Sequence, residues 1–379
     1  MDSTFAPEDL SRFVNEISRF AAKSVAPKFQ RPEELVAPEL LGSLMKEATE
    51  NGFLNTEEET GISIWEQTDD PILLQFSCQA LSELALKNPG LAYLCHHTSL
   101  SYYLVKQLGY KFKAGETPVI SLQGHYGLAR HSLARYFVDE LDSEDTEVLK
   151  DYFNPTSEQF LVLHSLKNWT HLLSPVLDKN KVIQFEIISN NTLSLKSLEG
   201  GHGLNEASSF LWQKKQGSRS GKTTRLTLAQ SQNLFSRALQ MQWLGLISIA
   251  RGATEKGYQQ AKAYAAMRVQ GGKAIAHHPA VQQMLSQTKS AIRCCDGLLT
   301  NICAQPLSKE TLVQVAEVRS QLHPLLCKGA NNAMQVFGGM GYMRDTGLEK
   351  IVRDVAQLKL MNGTPTELML FTAELERNE

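Results

Sequence analysis

The sequence predicts an α+β chain in three parts: an all-helical N-terminal domain over residues 1–116, a small β-barrel-like domain over 117–228, and a four-helix bundle over 229–379. Three observations predict it. Apolar residues recur at helical spacing through the first hundred residues. After Gly115 the texture changes to short apolar or alternating runs between turn-forming clusters. From Asn233 a long segment is apolar over most of its circumference, as a helix buried in a bundle or an interface must be. The 379 residues, 42% of them hydrophobic, suffice for a large composite core.

In chain order, Leu10, Phe13, Val14, Ile17, Phe20 and Ala21 line one face of a first helix, which Pro27 stops. The pattern repeats from Glu39 to near Gly52. Pro71 opens a helix through Leu86, closed by Asn88, Pro89 and Gly90. Val119–Leu122, Phe160–His164, Val182–Ile188 and Thr192–Leu195 read as strands, with Asp178–Lys181 and Ser189–Asn191 as turns. Lys214–Arg225 reads as a polar, solvated hairpin. Helix returns from Asn233 to about Ala266 and over Pro279–Cys303, and two further helices flank the loop that contains Gly338, Gly339 and Gly341.

A net charge of −2 creates no demand for nucleic acid or an anionic membrane. No run of about 18 uncharged apolar residues predicts a membrane span, and the acidic N-terminus does not read as a secretory signal. Six scattered cysteines fit reduced thiols in the cytoplasm. The neighbouring Cys95, His96 and His97, the pair His277 and His278, and the pair Cys294 and Cys295 lack metal-ligand spacing, so no metal is expected.

Three stretches carry more. Gln335–Tyr342 followed by Arg353, Asp354 and the run from Asn362 through Gly363, Thr364 and Pro365 to Glu367 is similar to the C-terminal signature of acyl-CoA dehydrogenase flavoproteins. Tyr264, Arg268 and Gln270, one helix after Leu244–Leu246 and just before His278, resemble a second motif of that family. Glu83–Ala92 with His97 resembles a third. The resemblance implies an acyl-CoA dehydrogenase-like fold and an FAD whose pyrophosphate and adenine side contacts Arg268, Gln270, Gln335, Gly338 and Gly339, with Thr364 as a further cofactor-binding residue. It also implies an acyl-CoA thioester substrate, an electron-transferring flavoprotein as partner, and a homo-oligomer or a hetero-oligomer with a related chain. A guanidinium fork and glycine backbone amides suit a diphosphate. On residues alone, Arg268 could instead cap a helix and the glycines could simply turn the chain. Glu349 and Arg353, four residues apart, read as a structural pair.

The likeness breaks where the chemistry sits. Asn362 occupies the place of the family's catalytic glutamate, and the family's alternative position falls on Phe235. An amide cannot accept the α-proton, and Glu367 is a weak substitute. The family's flavin-cradling loop corresponds to Leu122–Arg130, which has lost its Ser/Thr donors and its acid, and Trp169 with Thr170 retains little of the flanking motif. An arginine common near the start of the long helix falls on Ser236, next to Arg237. The pattern implies a chain that completes the FAD site of a heteromeric dehydrogenase introducing an α,β double bond. The alternatives are a non-catalytic acyl-CoA- or partner-binding homologue and a flavin-dependent oxidase or monooxygenase on the same fold.

Overall fold

The computed structural model describes residues 5–377 apart from 33, 35, 55–61, 114, 123–128, 154–160, 199–201, 216 and 218–220. Helix α1 (Pro7–Phe20) buries Phe13, Ile17 and Phe20, and Asp9 accepts from the Ala6 amide to close its first turn. Helix α2 (Pro38–Glu50) ends at Gly52, whose φ of 75° suits glycine. Helices α3 (Pro71–Lys87) and α4 (Pro89–Gln107) share Asn88. It ends the first and caps the second, accepting from the Leu91 amide at 2.7 Å.

Strands β1 (Pro118–Ile120), β3 (His171–Leu177), β4 (Ile183–Ser189) and β7 (Lys222–Thr223) form one sheet in the order β1-β3-β4-β7. A second sheet orders β2 (Leu161–Ser165), β6 (Ser208–Lys214) and β5 (Leu193–Leu198) as β2-β6-β5. The turn at Asp178–Lys181 joins β3 to β4, with Lys181 in the left-handed region. The Lys214–Arg225 segment is not the hairpin expected from its composition. Its two ends lie in different sheets, so it crosses between layers. The middle of the chain also contains two helices, α5 (Ala129–Phe137) and α6 (Ser143–Phe153), within the stretch read as β.

Helix α7 (Leu228–Met267) runs for 40 residues. Thr227 and Gln230 begin it with a reciprocal capping box. A two-stranded ribbon, β8 (Val269–Gln270) and β9 (Lys273–Ala274), follows. Helices α8 (Pro279–Cys303), α9 (Leu312–Val336) and α10 (Leu348–Leu360) pack on α7, and α11 (Pro365–Arg377) packs on α9 and α5. One apolar core joins residues of all three parts of the chain; a smaller one, around Trp169 and Trp212, sits between the two sheets. Among the described residues, no helix is long and apolar enough to cross a membrane.

Candidate functional site

Asn362 lies at the turn between α10 and α11, only 8% exposed, with φ of 52°. Asparagine tolerates that left-handed backbone better than most side chains do. The turn is gripped from two sides. Trp243 Nε1 donates to the Asn362 carbonyl at 2.9 Å and Arg319 Nη1 donates to it at 2.6 Å. Arg319 also donates to the carbonyls of Leu358 and Met361, covering the open end of α10.

The Asn362 side chain belongs to a buried relay. Trp65 Nε1 can only donate, and it points at His96 Nδ1 from 2.8 Å. Nδ1 is therefore an acceptor, Nε2 carries the proton, and Nε2 donates to Gln242 Oε1 at 2.9 Å. The Gln242 amide then donates to Asn362 Oδ1 at 2.9 Å. Burial pushes the His96 pKa down to about 3, against a smaller opposing effect from Gln242, so the imidazole stays neutral. The helix that carries Gln242 leaves room for the ring through Gly245. A Cβ there would lie 2.8 Å from His96 Nε2 and nearer still to two other ring atoms. This arrangement positions an amide where a carboxylate base would stand.

The alternative base position is filled. Phe235, 1% exposed, stacks on Phe137 at 6.0 Å and meets Phe153 and Phe185 edge-on or tilted. Glu367 is committed to a capping box: its Oε2 accepts from the Thr364 amide at 2.8 Å, and Thr364 Oγ1 accepts from the Glu367 amide at 3.3 Å. Trp169 is buried in the smaller core, and the Thr170 hydroxyl bonds Thr117. Ser236 Oγ donates to the Ser308 carbonyl, and Arg237 pairs with Asp69 at 2.7 Å. Residues 123–128, most of the loop compared with a flavin cradle, lie outside the described residues.

The remaining residues singled out from sequence gather elsewhere. Arg268 ends α7, its amide bonded to the Tyr264 carbonyl at 2.9 Å, and Gln270 follows on β8. Tyr264 stacks on Phe337 with ring centroids 4.1 Å apart, which sets this end of α7 against the start of the Gly338–Tyr342 turn. Arg268, Gln270, Gln335 and Gly339 are exposed there. Gly338 has φ of 60°, and a Cβ on either glycine would meet nothing within 4 Å. No hydrogen bond or ion pair holds the Arg268 guanidinium among the described residues. Open glycine backbone, two amide side chains and an uncommitted guanidinium fit a phosphate-bearing group presented from outside the chain. Thr364 is not part of this set. Its neighbour Asn362 bonds Trp243, in the middle of α7 and twenty-five residues before Arg268, so the two places stand roughly 37 Å apart along the helix.

Glu349 and Arg353 pair at 2.6 Å, and Arg353 Nη1 reaches the His202 carbonyl. Asp354 Oδ1 accepts from the Leu204 amide at 2.7 Å. These bonds tie α10 to the loop before β6. His97 Nε2 donates to the Ile120 carbonyl at 2.8 Å. No group of three or more His, Cys, Asp or Glu among the described residues is placed to hold a metal. Sequence reasoning missed Trp65, Gln242, Trp243 and Arg319 as parts of the site. The available signal was Gln242, a polar residue in the middle of an apolar run, which must find a partner when buried.

Residues 233–373 match the family model for the acyl-CoA dehydrogenase C-terminal domain. Over 121 residues the chain is 30% identical to cyclohex-1-ene-1-carbonyl-CoA dehydrogenase of Geobacter metallireducens, covering 31% of this chain and 30% of that protein. Over 127 residues it is 27% identical to 3-sulfinopropanoyl-CoA desulfinase of Paraburkholderia xenovorans, covering 34% and 33%. The matches thus span about a third of these relatives' length. The fold is similar to that of butyryl-CoA dehydrogenase from Megasphaera elsdenii, with a TM-score of 0.69 and 16% identity over 98% of this chain and 99% of that one.

Proposed function

From the match of residues 233–373 to the acyl-CoA dehydrogenase C-terminal domain, we propose that this chain is a member of that family and the FAD-completing subunit of a heteromeric acyl-CoA dehydrogenase. The observation that carries the reading is the contrast between two regions of α7, its middle at Gln242 and Trp243 and its C-terminal end at Arg268. In the first, the Asn362 amide accepts from Gln242 in a relay built on a neutral His96; in the second, Arg268, Gln270, Gln335, Gly338 and Gly339 face outward.

FAD, when bound, supplies the acceptor for the electrons removed from a CoA thioester. The residues of this chain bind and orient it. The Arg268 fork and the backbone amides of the glycine turn hold phosphate oxygens, while Gln270 and Gln335 offer amide hydrogen bonds. A related chain with a carboxylate at the place of Asn362 supplies the base. An electron-transferring flavoprotein is the downstream acceptor in this reading.

The test is visible absorbance of the protein purified alone and co-expressed with a relative that has that carboxylate, before and after addition of acyl-CoA thioesters. Flavin found only in the co-expressed complex, and bleached by thioester, supports the proposal. Arg268→Ala should then lower the flavin content of the complex. Stoichiometric flavin in the isolated chain, reduced by acyl-CoA, refutes it. Absence of flavin from both preparations supports a non-catalytic binding homologue instead.

A further inference from the structure

A cavity of about 330 Å³ lies away from both regions of α7 described above, roofed by residues 27–32, 34, 36, 37 and 40 and floored by α7, α10 and the start of α4. Two lysines share its inner wall. Lys350 takes both nearby acids, pairing with Glu206 at 3.2 Å and Asp354 at 2.7 Å. Burial works against that ammonium, but Asp354 and Glu206 outweigh it and hold its pKa above the ordinary value. Lys256 has no carboxylate partner among the described residues. Its Nζ donates one hydrogen bond, at 2.9 Å, to the Lys87 carbonyl that ends α3. A neutral amine keeps that bond and leaves its lone pair free. The outer rim carries Lys28, Arg31 and Lys87, with Glu34 paired to Arg31.

We propose that Lys256 is an acylation site whose amine takes the acyl group of a small acyl phosphate entering this cavity. The nitrogen attacks the carbonyl carbon, an N–C bond forms, the C–O bond to phosphate breaks, and phosphate leaves with its electron pair. The surplus proton on nitrogen passes to phosphate or water. No oxidant or reductant is involved. The cavity admits a short acyl chain, and the rim cations attract the phosphate dianion.

The charges facing Lys256 agree with this chemistry. Burial lowers its pKa to about 8, Lys350 and Lys87 push in the same direction, and Asp354 and Glu206 oppose them. At pH 7.5 about a quarter of such amines are free, against roughly 0.1% for an ordinary lysine. Part of that gain is offset because a less basic amine is a weaker nucleophile.

The test treats the full-length protein with acetyl phosphate and measures acetylation of each lysine by peptide mass spectrometry. Lys256 should react at least tenfold faster than exposed Lys262 on the same helix, with a midpoint near pH 8. Acetic anhydride, an uncharged donor, should show a several-fold smaller preference. Lys28→Ser, at the exposed rim, should slow the acetyl phosphate reaction and leave the anhydride reaction unchanged. Reaction of Lys256 no faster than Lys262 overturns the proposal, as does an equal preference with both donors. Lys256→Arg identifies the labelled peptide.

Discussion

Replacing Gln242 by leucine isolates the relay that includes Asn362. The two side chains are close in volume, so the cavity and overpacking costs are small. What changes is polar. His96 Nε2–H loses its acceptor at 2.9 Å, inside a ring that is fully buried. Asn362 Oδ1 loses the Gln242 donor, also at 2.9 Å. An orphaned buried donor costs about 1–3 kcal/mol, and loss of a second hydrogen bond about 0.5–1.5 kcal/mol. Gln242→Leu should therefore lower unfolding stability by about 2–4 kcal/mol. Urea titration at pH 7.5 measures it, with an unchanged m-value showing that the unfolded state is unaffected. Gln242→Glu keeps an acceptor for His96 and serves as the comparison: its carboxylate should raise the His96 pKa. A loss below about 1 kcal/mol for the leucine variant would refute the reasoning, because buried donors of this kind are not cheap to abandon.

Gly245→Ala drives a methyl into the His96 ring and should cost about 3–5 kcal/mol, combining overpacking with disruption of the relay; urea titration reads it. His96 makes the protein acid-sensitive. Its folded pKa, about 3, lies below the ordinary 6.5, so the unfolded chain binds a proton that the native one refuses. Its contribution is complete above pH 6.5 and falls as pH drops toward 3, by about 2 kcal/mol between pH 6.5 and 5. His323, also held neutral by burial and by Arg319, adds in the same direction. Denaturant midpoints across that range check the slope. Glu367→Ala removes half of the α11 capping box and should cost about 1 kcal/mol of stability while leaving flavin reduction in the co-expressed complex unchanged. A collapse of the reduction rate would show that Glu367 acts as a base.

The helices were legible where caps and periodicity agree. Pro71 opens α3, Asn88 closes it, and the apolar face of α1 is buried at Phe13, Ile17 and Phe20. Strand β3 was not legible because Pro175 argues against a strand with neighbours on both sides. The structure resolves the conflict: β1 pairs only with His171, Leu172 and Leu173, so Pro175 lies beyond its reach and bonds toward β4 alone. Helices α5 and α6 are short, and their burial against α7 and α11 depends on residues more than 80 positions away. At the site, the sequence exposed a missing carboxylate at Asn362 and could not reveal what replaced it. The relay joins positions 65, 96, 242 and 362, and that proximity exists only after two helices, a loop and a turn have packed. Thr364 stands apart from the Arg268 group for a related reason, since adjacency in a signature says nothing about which part of α7 a residue meets.

The length of α7 bears on how such a chain could arise. Substitutions more than about 10 Å apart with no shared partner add independently. Asn362 and Arg268 are separated by several times that distance and share no bonded neighbour among the described residues. A double-mutant cycle between them should give a coupling within about 0.5 kcal/mol. Drift at one site is therefore invisible to the other. After duplication, one copy of a protein with two such separated sites can shed the function of one in small steps while selection continues to act on the other alone.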